Sequence, residues 1–274
     1  MTMKLEFITP AFLCGANQNR AELRPASIRG EIRWWFRVLG ASAAEERAVF
    51  GGVSGSPDAS KIVVRVRDVQ SKHEAFPRFA PMSDFGYIYY FASVSGERKG
   101  IRIEPTAYFA PGTRFTLDVL ERRPIPEASR ARFAQSVTCF ARLGTLGLRG
   151  TRGCGALTDT DSNMTRADFA AWAKSLPSSL LSGLAEDRVC DSAKSCQETL
   201  GGFLRRFRKE CRLSGKSESA LGFSEGKKRE SSALRLRPIR VKEGFLPVLV
   251  YTDQACSQSS LLTNSNLKFQ IHNL

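Results

Sequence analysis

Three arginines recur at a spacing of four, Arg29, Arg33 and Arg37, inside Ser27-Ile-Arg-Gly-Glu-Ile-Arg-Trp-Trp-Phe-Arg37. On a helix, at about 100° per residue, that spacing lays three guanidinium groups in one stripe. A second group is Gly144-Thr-Leu-Gly-Leu-Arg-Gly-Thr-Arg-Gly-Cys-Gly155, with Arg149, Gly150, Thr151 and Arg152 at its centre. Glycines let backbone N–H groups come within reach of a phosphodiester, and interleaved arginines neutralise it. The loop has no G-K-[ST] ending, and it follows a helix and leads into a strand, so neither a Walker loop nor a dinucleotide fingerprint fits. A third group is the stretch from Phe203 to Lys242, which carries 13 Lys and Arg against 4 Glu, a net of +9. It holds Lys227-Lys228-Arg229 in a Gly/Ser-rich loop, and Arg235 and Arg237 alternating with Leu234 and Leu236. The alternation predicts leucines toward a core and arginines toward solvent. The chemistry common to all three groups is phosphate recognition; the plainer alternatives are a solvated helix flank, a loose surface loop and a charged loop in water.

Bond-breaking chemistry has less to work with. The seven cysteines, Cys14, Cys139, Cys154, Cys190, Cys196, Cys211 and Cys256, include no C-x-x-C pair, and the only histidines are His73 and His272. A structural zinc site needs four convergent ligands, usually in close pairs; buried reduced thiols are expected instead. Metal-free RNA cleavage needs a base near the 2′-OH and an acid for the leaving oxygen. Both histidines lie outside every motif, and acidic residues such as Glu22, Glu31, Asp58 and Asp84 are scattered. No catalytic residue, metal or cofactor is therefore assigned. Tyr or Lys acting as acid or base leaves an endoribonuclease open, and basic faces meeting acidic subunits leave an interaction scaffold open.

The elements that position these groups follow from periodicity. The 274 residues are 42% hydrophobic and 25% charged, enough for one large or two small domains with a real core. No stretch approaches the run of about 18 apolar residues of a membrane span. The start, MTMKLEFITP, shows no signal-peptide pattern, so a soluble cytoplasmic protein without a membrane partner is expected. The 41 Lys and Arg against 27 Asp and Glu give a formal charge of +14, which suits nucleic acid. Strands are predicted at Lys4–Ile8, Lys61–Val69, Tyr87–Val94, Arg114–Leu120, Leu234–Ile239 and Phe245–Tyr251. Helices are predicted at Ile28–Gly40, with Ser27 as N-cap, and at Glu127–Leu143, Arg166–Lys174 and Gln197–Arg212. In the first helix Ile28, Ile32, Trp35, Phe36 and Leu39 form the core stripe, the arginines lie beside it, and Trp34 points elsewhere, toward a stacked base, a neighbouring subunit, or simply a neighbouring loop that packs over it. The order of elements is that of a ferredoxin-like or RRM-type α+β unit. A polar stretch at Thr158–Asn163 marks the expected division into residues 1–160 and a C-terminal helical and β module, 161–274.

Particular residues resemble a known family. Phe7-Ile-Thr-Pro10, Cys14-Gly-Ala16, Leu23-Arg-Pro-Ala-Ser-Ile-Arg-Gly-Glu-Ile-Arg-Trp-Trp-Phe-Arg37 and Glu46 to Gly51 are similar to the opening of CRISPR-associated RAMP proteins. They are most like the first subunit of type III-B (Cmr) effector complexes. Leu148 to Gly155 resembles the family's glycine-rich loop, and Glu230 to Ile239 with Phe245 to Leu249 resemble its later elements. The resemblance implies a RAMP fold of two modules, the second reduced or irregular. It also implies an antiviral, RNA-guided ribonucleoprotein with other RAMP subunits, in which this chain contacts the 3′ part of the guide RNA, single-stranded target RNA, or both. Carried over residue by residue, it makes Ser27, Arg29, Gly30, Arg33, Arg37, Arg149 and Arg152 RNA-contacting; with them we group Arg24, Gly150, Thr151, Lys227, Lys228, Arg229, Arg235 and Arg237. Asn17, in the loop after the first strand, stands where target-cleaving relatives carry an aspartate, so it joins the RNA-contacting set and not a slicing one.

Overall fold

The computed structural model describes residues 1–53, 57–76, 79, 83–89, 105–177, 180–213, 224–225, 228–229 and 232–252. Along the chain the elements are β1 (Thr2–Phe7), α1 (Pro25–Val38), α2 (Ala43–Phe50), β2 (Ile62–Gln70), α3 (Asp84–Tyr89), β3 (Arg114–Glu121), α4 (Glu127–Leu143), β4 (Leu157–Asp159), α5 (Arg166–Lys174), β5 (Leu180–Leu184), α6 (Ala193–Leu213), β6 (Ser224–Glu225), β7 (Lys228–Arg229), β8 (Leu234–Val241) and β9 (Gly244–Thr252). They form two compact units. One comprises residues 1–73, 106–148 and 155–162; the other comprises 74–105, 149–154 and 163–274.

In the first unit, β1, β2, β3 and β4 make an antiparallel sheet in the order β2-β3-β1-β4, with α1 after β1 and α4 after β3. This is the ferredoxin-like βαββαβ arrangement, with α2 added after α1. Register places Leu5 opposite Phe115 and Met3 opposite Leu117, so one face is apolar. Ile28, Ile32, Trp35, Phe36 and Leu39 of the α1 segment and Phe133, Val137 and Phe140 of α4 are buried with it. The opposite face carries ion pairs: Arg114 with Glu6 at 2.7 Å and Arg67 with Asp118 at 2.8 Å. Both carboxylates are buried under their partners. Helix α1 starts earlier than its apolar stripe suggests. Pro25, with its fixed φ and no N–H, fits the first helical position, so Arg24 is the N-cap residue and Ser27, expected there, lies in the first turn.

The second unit has an antiparallel three-stranded sheet, β5-β9-β8, and a separate β6–β7 hairpin. Helix α6 buries Cys196, Leu200, Phe203, Leu204 and Phe207 in a core with Leu234, Leu236, Leu249 and Tyr251 of the sheet. The strand expected from Tyr87 is instead the end of α3. Phe85, Ile88 and Tyr89 are buried, a spacing of i, i+3, i+4, and that helical stripe packing beside α6 outweighs the β-propensity of Tyr-Ile-Tyr. Ser83 Oγ accepts the Gly86 N–H at its start. Residues 90–94 of that expected strand lie outside the described residues, as do Lys227, Cys256 and His272. Cys139, Cys154, Cys190 and Cys196 are buried free thiols and Cys14 is half-buried. Among the described residues no helix is long and apolar enough to cross a membrane.

Candidate nucleic-acid interface

The arginine stripe of α1 divides in two. Arg33 donates to Glu46 on α2, and Arg37 lies 3.7 Å from the same carboxylate oxygen. Glu46 is buried, and α2 is held in place by a capping box in which Ser42 and Glu45 bond each other's backbone N–H. Toward the helix start, Arg24, Ser27, Arg29 and Gly30 are exposed. Arg24, Arg29 and Arg122 have no ion-pair partner among the described residues. Arg29 and Arg122 line a groove of about 410 Å³ that also touches Ser60 and the start of β2. A Cβ at Gly30 would meet nothing within 4 Å, so a backbone phosphate has room there. Trp34 is half-buried and packs edge-on against Trp35, ring centres 4.8 Å apart.

After β1 the Thr-Pro segment zips to the glycine-rich loop. Buried Thr9 accepts the Ala156 N–H on Oγ1 at 2.8 Å, Pro10 O accepts the Gly155 N–H at 2.8 Å, and Phe12 O accepts the Leu148 N–H at 2.7 Å. Gly147 has φ +92°, and a Cβ there would stand 2.3 Å from Phe12 O. Only glycine permits that approach. The chain then forms a closed loop, 14–21, with Cys14 paired to Ala21 and Asn17 Oδ1 accepting the Asn19 N–H at 2.9 Å. Asn17 lines a cleft of about 810 Å³ together with Asn19, Arg20, Glu22 and His73. The structure thus brings Asn17 and His73 to one cleft, although no sequence motif joins them.

In the second unit the segment 149–154 carries the loop's arginines. Arg149 adopts φ +61°, a left-handed conformation rare outside glycine, and leads into the 3₁₀ turn Gly150–Arg152. A Cβ on Gly153 would lie 2.9 Å from Pro238 and 3.1 Å from Leu236 O, so this turn is pressed onto β8. Arg237 reaches back from β8 and donates to Gly150 O at 2.6 Å and to Leu236 O at 2.9 Å. That corrects the strand alternation. Arg237 is 1% exposed, because the glycine-rich turn covers the face that the alternation assigns to solvent; Arg235 is half-buried. Arg152 is also buried, and its pKa is pushed down to about 10, first by burial and next by the charge of Arg208, with Arg149 adding to it. Arg208 donates to the Tyr87 hydroxyl at 3.2 Å. Buried Gln197 bonds Tyr89 and donates to Gly153 O at 3.3 Å, fixing the turn from α6. Burial among these residues drives the Cys154 thiol up to about 12, so it is inert.

Arg149, Arg152, Arg208 and Arg237 therefore share one region, whose guanidinium groups can hold phosphate oxygens. The charge count of residues 203–242 points at Arg208 and Arg237 without distinguishing them from their neighbours, and only the turn singles them out. Lys228 and Arg229 lie on β7, in a hairpin that is not part of the β5-β9-β8 sheet carrying Arg235 and Arg237. Thr151 is half-buried in the turn. Among the described residues no three His, Cys, Asp or Glu side chains converge as a metal site.

Comparison with known proteins fits this frame. A family model of the RAMP superfamily matches residues 4–158. The Cmr subunit Cmr1-1 of the Pyrococcus furiosus CRISPR system is 31% identical over 143 residues, 50% of this chain and 40% of the relative. The chain thus matches less than half the length of that relative. The crystal structure of apo Cmr1 from Pyrococcus furiosus matches with a TM-score of 0.63 at 18% identity, over 93% of this chain and 88% of that one. A chain of a type III-B Cmr-beta complex bound to cognate target RNA matches with a TM-score of 0.54 at 10% identity, over 92% and 94%. The ferredoxin-like sheet, the Thr-Pro and glycine-rich loops locked together, and a match over more than half its length make this chain a member of the RAMP superfamily.

Proposed function

We propose that this chain is a non-catalytic RNA-binding subunit of a type III-B CRISPR ribonucleoprotein, with guide RNA, target RNA and other Cmr subunits as its partners in the cytoplasm. The observation that carries the reading is the group Arg149, Arg152, Arg208 and Arg237 around the glycine-rich turn. Burial first, and then the charges of Arg208 and Arg149, weaken Arg152's hold on its charge, a cost that a phosphate beside it relieves. Arg24, Arg29 and Arg122 add exposed positive charge in the first unit. The kinship with Cmr1-1 and the likeness to a chain of an RNA-bound Cmr-beta complex support the assembly. Cleavage has less support: the buried thiol at Cys154 is inert, and the buried arginines are poor acids or bases.

The test is a salt titration of single-stranded RNA binding by the purified chain, with a log–log slope of about −0.7 per phosphate neutralised. Affinity that stays flat between low and physiological salt overturns the reading. Incubation with guide–target duplex and with CRISPR precursor, with and without Mg²⁺, should leave both RNAs intact; products that vanish on mutating His73 make the chain a nuclease instead.

A further inference from the structure

We propose that the cleft beside loop 14–21 binds one unpaired nucleotide with its base inward, and prefers guanine. The inference takes its ligand class from the RNA-binding reading above, but it rests on different residues. The lip of the cleft is fixed before any ligand arrives. Ala21 N–H donates to Thr106 O at 2.7 Å, the Thr106 hydroxyl to Asn19 O at 3.1 Å, and Gln18 Nε2 to Gly15 O at 3.0 Å. A fixed lip leaves little ordering for a ligand to bear.

What the lip presents is an unusual pair of charges. Arg20 and Glu22 both line the cleft, yet neither side chain has an ion-pair partner among the described residues. The Glu22 carboxylate lies against Gly15, where a Cβ would fall 1.7 Å from its Oε2. A ligand that satisfies both must be anionic at one end and rich in hydrogen-bond donors at the other. A nucleotide is such a molecule. Its phosphate suits the Arg20 guanidinium. Guanine offers two adjacent donors, N1–H and the N2 amino group, which match two carboxylate oxygens; adenine, cytosine and uracil offer no such pair. The Asn17 and Asn19 amides supply donors for O6. Apolar surface comes from Val69, 43% exposed; Phe109 is buried beneath the floor of the cleft, its ring 6.4 Å from the exposed imidazole of His73. A volume of about 810 Å³ is in the range of small-ligand sites.

The experiment titrates the four nucleoside 5′-monophosphates into the full chain, by calorimetry and by competition against a fluorescent single-stranded RNA. GMP should bind about tenfold tighter than the other three, as a carboxylate meeting paired donors predicts. Glu22→Gln should erase that preference, and Asn17→Ala should weaken GMP binding most. Both side chains are exposed, so neither variant threatens the fold. Equal binding of all four nucleotides, or a preference that survives Glu22→Gln, overturns the proposal even where salt-dependent RNA binding is intact. Absence of RNA binding with GMP selectivity retained upholds the cleft and overturns the RNA-binding reading.

Discussion

Replacing Arg152 by Met should stabilise the free protein while loosening its hold on RNA. Arg152 is 9% exposed, and its pKa of about 10 reflects burial first and the Arg208 charge second. A depression of that size makes the charged form roughly 3 kcal/mol less favourable in the fold than in water. The folded pKa lies below the unfolded one, so the penalty is complete at pH 7 and is relieved only as pH rises past 10. Methionine keeps much of the length without the charge, and such swaps cost up to about 1.5 kcal/mol in packing. A net gain of about 1–2 kcal/mol remains, a rise of roughly 2–6 °C in Tm for a chain of this size. Calorimetry at pH 7 measures it. In parallel, fluorescence anisotropy at several salt concentrations should show about tenfold weaker RNA binding and a slope shallower by about 0.7. A lower Tm with unchanged affinity refutes the reasoning, because the guanidinium is then a structural tie within the turn.

Arg29→Ala should weaken RNA binding with a stability change within about 0.5 kcal/mol. Arg33→Ala should cost about 1–3 kcal/mol as well, since it takes a donor from the buried Glu46 carboxylate; urea titrations separate the two variants. Trp35→Ala removes a fully buried aromatic and should cost about 3–5 kcal/mol in the same assay. Asp118 is held below the ordinary carboxylate range chiefly by the Arg67 hydrogen bond and then by Thr2. Its contribution is thus present at neutral pH and lost as acid protonates it, and Asp118→Asn should flatten the fall of Tm between about pH 5 and pH 2.

The ferredoxin-like unit was legible because its signals are local. Alternation marked β1 and β3, and the 3.6-residue stripe of Ile28, Ile32, Trp35 and Phe36 marked α1, all four of which are fully buried. Helix α4 runs from Glu127 to Leu143 as periodicity predicts. What escaped is tertiary. Helix α2 had a readable signal in Ser42-Ala-Ala-Glu45, a capping box, yet that Glu46 would anchor Arg33 depends on how α2 returns to α1. Burial of Arg237 depends on a turn some 85 residues earlier in the chain, and strand alternation carries no knowledge of it. The cleft joins residues near 20, 70 and 106, and no motif spans that distance.

The sheet of the first unit explains why the binding signals lie in loops. RRM-type sheets bind RNA by stacking bases on aromatics displayed on the open face. Here the face opposite the core, read along β1 and β3, presents Thr2, Lys4, Glu6, Arg114, Thr116 and Asp118, with no aromatic among them. Arg114 and Arg67 cover the carboxylates of Glu6 and Asp118. A base approaching this surface meets paired charges whose separation costs more than stacking returns, since breaking a buried pair leaves an uncompensated carboxylate. On the RNA-binding reading proposed above, recognition then comes from segments other than this face. They include the exposed Arg24 and Arg29 at the start of α1, Arg20 in loop 14–21, and the arginines of the 149–154 turn. They lie in loops and at a helix end, segments that a scaffold positions for binding without committing its sheet to it.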